Sequence, residues 1–274
     1  MPSSATSNHW EELSRQWEQV GAPLRPGEAD LVFYRRAIRE LSPDGKPLRA
    51  LILGVTPELY RLDWPVGSTV LAADRSEVMI RAIWPGPADN ARHAKWTELP
   101  FENDSCDIVF CDGGLQLIEW PCEHESLAQE LARVISPDGR LVVRMFVPPA
   151  QPETPEHVLA DLFDGQIANL NLLKIRVGMA MAAGSPPSVK LCEVWEALHD
   201  AAPDFPALAR RLDWPLEHLL AINTYRDRAT RYTFVSVAQF AEVFCGSGSF
   251  ARQRVDFPEY CLGERCPTVT LART

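Results

Sequence analysis

Residues 48–74 of this 274-residue chain read LRALILGVTPELYRLDWPVGSTVLAAD, and this stretch decides the fold. Its first apolar run ends at Gly54 and is typical of a strand buried on both faces. Thr56 followed by Pro57 predicts that a short helix starts directly afterwards. A second apolar run then ends in Asp74. A strand, a helix and a second strand in this order predict a βαβ unit with parallel strands.

The same alternation continues on the C-terminal side of this stretch. It predicts a third strand near 91–96, a fourth at 106–111, a helix over 123–135, a turn at 136–139 and a fifth strand over 140–147. Ser236 and Gln239 form the pattern of a capping box that opens a further helix. Two last apolar segments, 250–257 and 268–271, are joined by too short a connection for a crossover helix. We therefore expect them to pair antiparallel.

Helical patterns flank and interrupt these strands. Two amphipathic segments, 8–20 and 27–41, precede the first strand, and residues 153–228 are helical in pattern throughout. We expect residues 1–47 to cover the site, 48–150 together with 231–274 to form the α/β core, and 151–230 to form an inserted helical cap.

Composition excludes several classes of protein. The chain has 27 basic and 37 acidic residues, a net charge of −10, which disfavours binding to nucleic acid. It has no apolar stretch of membrane-spanning length, and its first residues are polar and acidic, so we expect a cytoplasmic protein without a membrane partner. The seven cysteines show no zinc-ligand spacing, so we expect reduced thiols and no metal site.

Gly54 and Asp74 are the first candidate binding residues. Glycine at the end of a strand lets a ligand approach the backbone, and the helix that follows directs its free N–H groups at that ligand. Asp74 lies 20 residues further on, at the end of the next strand, where a carboxylate can accept both hydrogens of a ribose diol. The alternative is that Asp74 only caps the helix that begins near Ser76. The two positions together favour a nucleoside site.

With these residues in place, the series 48–147 resembles the class I S-adenosylmethionine-dependent methyltransferases. The stretch from Asp74 to Met79 is similar to the family's ribose-binding acid and the helix that borders adenine. Residues 98–109, ELPFENDSCDIV, resemble the segment that leads into its fourth strand, and 134–141, VISPDGRL, its entry to the fifth. The resemblance implies a Rossmann-like α/β methyltransferase fold, a seven-stranded mostly parallel sheet with an antiparallel last strand, and S-adenosylmethionine as the cofactor.

The resemblance also implies a set of site residues. Asp74 would bind the ribose, Gly54 and Thr56 would border the aminoacyl end, and the residues after strand four would face the methyl group. Asp112 and His124 are the candidate catalytic residues, with His157 as a further possible base. The cofactor-binding candidates are Tyr34, Gly54, Thr56, Asp74, Arg75, Met79, Trp96, Glu98, Leu99, Asp112, Gly113 and Gly114.

The chain departs from the family pattern in two places. The family places an acid two residues before a Gly-x-Gly-x-Gly turn, whereas here Ile52, Thr56 and Glu58 hold the places of the acid and of the second and third glycines. The loop after strand three commonly begins with an acid that contacts adenine, but Lys95 and Trp96 occupy that stretch. Thr56 can still donate a hydrogen bond, and Trp96 offers an aromatic face to adenine.

The function that these residues favour is methylation of a small molecule, because a cap over the site makes a closed pocket and such a pocket suits a small acceptor. One alternative is a non-catalytic descendant of the fold that serves as a binding protein. Another is a nicotinamide-dependent oxidoreductase, which predicts a parallel sixth strand. The acceptor, the atom methylated and the oligomeric state stay open.

Overall fold

The computed structural model has a central seven-stranded sheet. It describes residues 20–274 together with Glu11, Ser14 and Trp17. The strands are β1 (Arg49–Leu53), β2 (Thr69–Asp74), β3 (Ala91–His93), β4 (Cys106–Asp112), β5 (Ile135–Arg144), β6 (Ser188–Lys190), β7 (Arg231–Thr233), β8 (Phe250–Asp256) and β9 (Thr268–Arg273). The order in the large sheet is β3-β2-β1-β4-β5-β9-β8, and β6 pairs with β7 in a separate ribbon.

Strand direction distinguishes between the α/β folds that were considered. Strands β3, β2, β1, β4 and β5 pair parallel, while β9 is antiparallel to both β5 and β8. A dinucleotide-binding sheet would continue parallel beyond its fifth strand. The predicted Rossmann-like methyltransferase fold, with its antiparallel last strand, is confirmed, as is the antiparallel pairing of the two C-terminal segments.

Helices connect the strands and cover both faces of the sheet. They are α1 (Glu28–Leu41), α2 (Pro57–Tyr60), α3 (Glu77–Ile83), α4 (Cys122–Val134), α5 (Pro155–Phe163), α6 (Leu170–Met181), α7 (Leu191–Ala201), α8 (Phe205–Leu212), α9 (Leu216–Leu220) and α10 (Val237–Gly246). Short 3-10 helices lie at 88–90, 115–117, 221–225 and 263–265. The capping box of α10 is present, since Ser236 Oγ accepts from the backbone N–H of Gln239. Most of the predicted segment 8–20 lies outside the described residues.

The alternation of side chains along β1 explains why both faces are covered. Leu51 and Leu53 pack with buried residues of α4 and α10, whereas Ala50 and Ile52 pack with α1. Ile52 is fully buried in that second layer, so the position of the family's acid is here a core position. A third apolar cluster joins the helices α5–α9 of the insertion to one another. The division of the chain into domains at residues 47, 150 and 230 remains a prediction.

Three sequence expectations need correction. The segment 136–139 is not a free turn but an irregular part of β5, where Cys106 pairs with Ile135 and Ile108 already with Arg140. The insertion is not helical throughout, because β6 interrupts it and pairs with β7. The third and fifth strands end earlier than expected, at His93 and Arg144. Each error concerns backbone pairing with a distant segment, which local residue patterns do not encode.

Within the described part of the chain, no helix is both long enough and apolar enough to cross a membrane.

Candidate functional site

Gly54 and Asp74 lie side by side at the carboxyl edge of the sheet. Gly54 has a φ of +97°, which favours glycine, and a side chain built there would place its Cβ 4.0 Å from Asp74 Oδ2. Asp74 Oδ1 accepts from the backbone N–H of Ser76 at 2.7 Å. The alternative that Asp74 caps α3 is wrong, because Ser76 is the N-cap residue and its Oγ accepts from the N–H of Met79. One oxygen of Asp74 holds Ser76 in place and the other lies toward Gly54.

The carboxyl group of Asp74 is held in an unfavourable environment for its charge. Burial raises its pKa from 3.8 to about 6, although the Ser76 N–H and the nearby cation Arg75 oppose this shift. A carboxylate kept at a thermodynamic cost in a cleft is a functional-site signature.

Trp96 lies between the two glycine-bearing strand ends. Its Nε1 donates to the carbonyl of Ala73 at 2.8 Å. A Cβ built on Gly54 would lie 3.9 Å from the Trp96 ring, and one built on Gly114 would lie 2.6 Å from it. The absence of side chains at both glycines therefore makes room for this indole, which forms a wall of the cleft beside Asp74.

Glu58 takes the place of the family's third glycine and is tied to the N-terminal segment. Its Oε1 accepts from Arg25 Nε at 2.9 Å and is also bound by the Nη2 of that arginine. Its Oε2 is buried and has no hydrogen-bond partner among the described residues. A buried carboxylate oxygen left without a donor calls for a ligand that brings one. Thr56, at the start of α2, does not use its hydroxyl to cap that helix.

Asp112, at the end of β4, belongs to a buried ionic network. Arg144 on β5 binds both of its oxygens, with Nε to Oδ1 at 2.6 Å and Nη2 to Oδ2 at 2.9 Å. The hydroxyl of Tyr34 on α1 donates to the same Oδ1 at 3.0 Å. Arg144 is fully buried and the side chain of Asp112 is 2% exposed. Asp112 is thereby fixed in place by three hydrogen bonds from two side chains.

The network continues into two further buried groups. Arg144 Nη1 donates to the carbonyl of Pro23 at 2.7 Å and lies 3.9 Å from the carboxylate of Asp30. Asp30 accepts from the hydroxyl of Tyr260 at 2.8 Å. Burial disfavours the charged form of Arg144, but the adjacent Asp112 carboxylate raises its pKa above the ordinary value. Sequence reasoning missed Arg144 and Asp30, although an arginine inside the apolar run 141–147 was a usable signal.

The remaining predicted cofactor residues surround this edge of the sheet. Met79 is buried on α3, and its backbone N–H donates to the Oγ of Ser76, while Arg75 is exposed. Leu99 is buried and its backbone N–H donates to Glu130 at 2.6 Å, while Glu98 is exposed. The roles of these side chains remain predictions.

An ion pair on α4 holds the segment that carries Leu99. Glu130 and Arg133 pair with each other, and Arg133 donates to the carbonyls of Leu99 and Phe101 at 3.1 and 2.7 Å. The segment that resembles the family motif is therefore fixed by side chains more than 30 residues further along, at 130 and 133, which sequence reasoning did not identify.

His124, the second candidate catalytic residue, follows the start of α4 closely, where the sequence favours an exposed side chain, and that expectation is wrong. It is fully buried, its ring packs edge-on against Trp120 at 5.1 Å, and its Nδ1 lies 3.2 Å from the carbonyl of Glu119. Burial lowers its pKa, and its Nε2 has no partner among the described residues. The first residues of the helix are exposed at Cys122 and Glu125, but His124 lies on the same buried face as Leu127 and Leu131. A catalytic role for His124 remains a prediction.

Two glycines after β4 lie between the cleft and a cavity. Gly114 faces Trp96, as described above, whereas a Cβ on Gly113 would lie 2.9 Å from the ring of Phe146 and 3.9 Å from Gln116 Nε2. Phe146 and Gln116 also line a cavity of about 220 Å³, counted with its open mouth, whose other lining residues are Leu24, Lys174, Ile175, Tyr225, Tyr232 and Phe234. The Gly113–Gly114 turn thus separates the Asp74 cleft from this cavity.

His157 lies away from that cavity lining, in a group with Glu153 and Asp161. The two carboxylates already bind Arg176, at 2.6 and 2.7 Å, and Glu153 also binds Arg265. The group is an ion-pair cluster, and its bond between Glu153 and Arg265 links the insertion to the connection before β9.

Comparison with known proteins identifies the family. A methyltransferase domain profile matches residues 53–143. A demethylmenaquinone methyltransferase of Mycolicibacterium gilvum is 32% identical over 210 residues, which cover 73% of this chain and 81% of that protein. The chain belongs to the S-adenosylmethionine-dependent methyltransferase family. Its cofactor is accordingly S-adenosylmethionine.

Another relative matches a shorter stretch of this methyltransferase. A demethylmenaquinone methyltransferase of Clavibacter sepedonicus is 38% identical over 149 residues, covering 52% of this chain. The chain spans 58% of the length of that relative. Among solved structures, a Rhodobacter sphaeroides protein described with the Zn-dependent alcohol dehydrogenases matches with a TM-score of 0.59 and 14% identity over the whole of both chains. That likeness is one of fold alone.

Proposed function

We propose that this methyltransferase transfers the methyl group of S-adenosylmethionine to a small molecule held in the cavity beside Gly113. The observation that carries the proposal is the position of that cavity. It is lined by Gln116 and Phe146, by Lys174, Ile175 and Tyr225, and by Tyr232 and Phe234, and it lies beside the turn that ends β4. Ligands of open α/β sheets bind at the carboxyl ends of the strands, and pockets walled by a second structural layer suit small acceptors.

The residues of the cleft fit the cofactor at both of its ends. Asp74 keeps Oδ2 toward Gly54, where it can accept from a ribose hydroxyl, and Trp96 supplies an aromatic wall for the base. We propose that Glu58 Oε2, which is buried and has no donor among the described residues, accepts from the amino group of the aminoacyl end. In this proposal the glutamate compensates for the glycine that the family has at this position. S-adenosylmethionine, when bound, supplies an electrophilic methyl group.

The chain's contribution to such a reaction is mainly positioning. Methyl transfer requires that the acceptor atom be held in line with the methyl carbon and its leaving group. Asp112 has its oxygens bound by Arg144 and Tyr34, so we propose that it holds the Gly113–Gly114 turn rather than removing a proton. Its predicted catalytic role therefore becomes a positioning role in this proposal.

An aromatic acceptor agrees best with the cavity and with the relatives. The rings of Phe146, Tyr225, Tyr232 and Phe234 line it. The two relatives reported above are named for demethylmenaquinone, a quinone. We propose a small aromatic acceptor of quinol or phenol type.

Binding and turnover test this function together. Calorimetric titration with S-adenosylhomocysteine is expected to show saturable micromolar binding that Asp74→Ala abolishes. Incubation with S-adenosylmethionine carrying a labelled methyl group and a set of quinols and phenols is expected to move label into an extractable product. An absence of heat at millimolar ligand concentration would contradict the proposal.

A non-catalytic binding protein is the second candidate. It is favoured by Trp96, whose ring lies against both Gly54 and Gly114, and by Ile52, which is buried in the core where the family has an acid. This candidate predicts no heat with S-adenosylhomocysteine. A nicotinamide-dependent oxidoreductase is not supported, because β9 runs antiparallel beside β5.

Trp96→Ala is expected to weaken binding of S-adenosylhomocysteine by about 5- to 150-fold, since stacking of a base on an aromatic side chain contributes roughly 1–3 kcal/mol. Calorimetry on the variant measures this change. Trp96→Phe, which keeps a ring but loses the hydrogen bond to Ala73, serves as control and should bind more tightly than the alanine variant. Tighter binding by Trp96→Ala than by the unmodified protein would show instead that the indole competes with the nucleoside for the cleft.

A further inference from the structure

Lys174 is a cation on a helix that is otherwise almost entirely apolar. Helix α6 reads LNLLKIRVGMAM, and eight of its residues are buried. Its other cation, Arg176, binds the carboxylates of Glu153 and Asp161 at 2.6 and 2.7 Å. Lys174 has no such partner among the described residues. Its Nζ donates to the carbonyl of Ala221 at 3.4 Å and lies 4.7 Å from the centre of the Tyr225 ring.

The environment of Lys174 opposes its charge. Burial lowers the pKa of Lys174 to about 8, and no opposite charge from the described residues offsets that effect. The facing titratable groups are Tyr225 and Tyr232, both neutral because burial raises their pKa. An ammonium group that is buried without a carboxylate partner binds an anionic ligand with a more favourable free energy than an ammonium group in water does.

This ammonium group lines the cavity that adjoins the Gly113 turn. Lys174 enters it from the insertion, opposite Gln116 and Phe146 of the core. The 220 Å³ of this cavity includes the open space at its mouth, and its enclosed part admits only a small group, such as the oxygen end of a ligand whose ring lies at the mouth. The cavity is lined by aromatic rings, the amide of Gln116 and the ammonium group of Lys174, which has no carboxylate partner among the described residues. This lining favours a ligand with a planar ring and an acidic oxygen.

We propose that Lys174 binds the ionised oxygen of the methyl acceptor, and that the acceptor is an aromatic or enolic ring with a phenol-type hydroxyl or a carboxylate. That the ligand is the methyl acceptor rests on the proposed function, whereas the binding of an anion by Lys174 does not. A phenol-type hydroxyl loses its proton to water on binding, and the ammonium holds the resulting oxyanion. Ionisation makes the ring or its oxygen richer in electrons, as attack on an electrophilic methyl group requires.

The test compares three one-ring probes: 4-nitrophenol, benzoate and the neutral 4-nitroanisole. Each is titrated into the full-length protein by calorimetry, with and without saturating S-adenosylhomocysteine, and the absorbance of bound nitrophenolate reports its ionisation. The variants are Lys174→Met, which removes the charge at similar volume, and Lys174→Arg, which keeps it. Lys190→Met is the matched control, because that lysine lies on the same insertion but pairs with Glu193 at 3.5 Å.

Lys174→Met is expected to weaken binding of the anionic probes by about 10- to 100-fold, the effect of losing a hydrogen bond to a charged group. Lys174→Arg and Lys190→Met should retain most of the affinity, and 4-nitroanisole should bind the Lys174→Met variant as well as the unmodified protein. If Lys174→Met weakens the binding of nitrophenolate alone, the group that Lys174 binds is a phenol-type oxygen. If it weakens the binding of benzoate alone, that group is a carboxylate. Either result supports the proposal.

Equal binding of anionic probes by Lys174→Met and the unmodified protein would overturn the proposal, as would a failure of the unmodified protein to bind either anion. Folding of Lys174→Met is checked by its thermal midpoint and by its titration with S-adenosylhomocysteine, both of which should be unchanged or improved. A protein that binds nitrophenolate through Lys174 but never S-adenosylhomocysteine would contradict the proposed function and leave the anion site established.

Discussion

Asp74→Asn is expected to weaken binding of S-adenosylhomocysteine by about 10- to 100-fold while making the cofactor-free protein more stable at neutral pH. The asparagine keeps an oxygen for the Ser76 N–H, so the N-cap residue of α3 stays in position. It cannot accept two hydrogens from a ribose diol, because one of its terminal atoms is a donor. Loss of a charge-assisted hydrogen bond of this kind weakens binding by about 10- to 100-fold.

The gain in stability follows from the direction of the pKa shift. The pKa of Asp74 is raised to about 6 in the folded protein, against 3.8 for an unperturbed carboxyl. Between these two pH values the folded state binds more protons than the unfolded state, so its stability falls as pH rises through this window. Above pH 6 the buried carboxylate costs at most about 3 kcal/mol, which asparagine removes.

Urea unfolding of the cofactor-free variant measures this effect. We expect a gain of about 1–3 kcal/mol at pH 7.5 that disappears toward about pH 3, where the carboxyl is protonated in both states. Asp44→Asn, at an exposed position before β1, controls for the loss of a surface charge and should change little. A variant that is destabilised at pH 7.5, or that still binds S-adenosylhomocysteine normally, would contradict the role assigned to Asp74.

Arg144→Met is expected to lower the free energy of unfolding by about 3–5 kcal/mol, because it leaves carboxylates buried without their cation. Asp112 would lose both of its bonds to the guanidinium, and Asp30 would lose a cation 3.9 Å away. The hydrogen bond that fastens Pro23 to the sheet would also disappear. Chemical unfolding at pH 7.5 measures the loss.

The double variant Arg144→Met, Asp112→Asn separates charge from packing. Removing the stranded carboxylate should recover part of the lost stability, and the coupling between the two substitutions gives the interaction between the two side chains. The deficit of Arg144→Met should also shrink as the pH falls, because burial raises the pKa of Asp30, and a protonated Asp30 no longer needs the cation. A loss below about 1 kcal/mol, or one independent of Asp112, would show that the network is not what holds the turn after β4.

The sequence alone was sufficient for the order and type of the core elements. Apolar runs that end in Gly54 and Asp74 encode buried parallel strands, and the short connection between the last two segments encodes their antiparallel pairing. These are local properties, because periodicity and turn residues act over a few neighbours. The pairing of Gly54 with Asp74 at one edge follows directly from parallel strands that end together.

Only the tertiary structure decided which polar groups meet. Asp30, Asp112 and Arg144 come from three separate elements and lie together only once α1 packs on the sheet. The burial of His124, the position of Trp96 between two glycines, and the isolation of Lys174 from any carboxylate of the described chain depend in the same way on distant segments. Charge and burial are set by the sum of all neighbours in space, and a sequence read along the chain does not contain that sum.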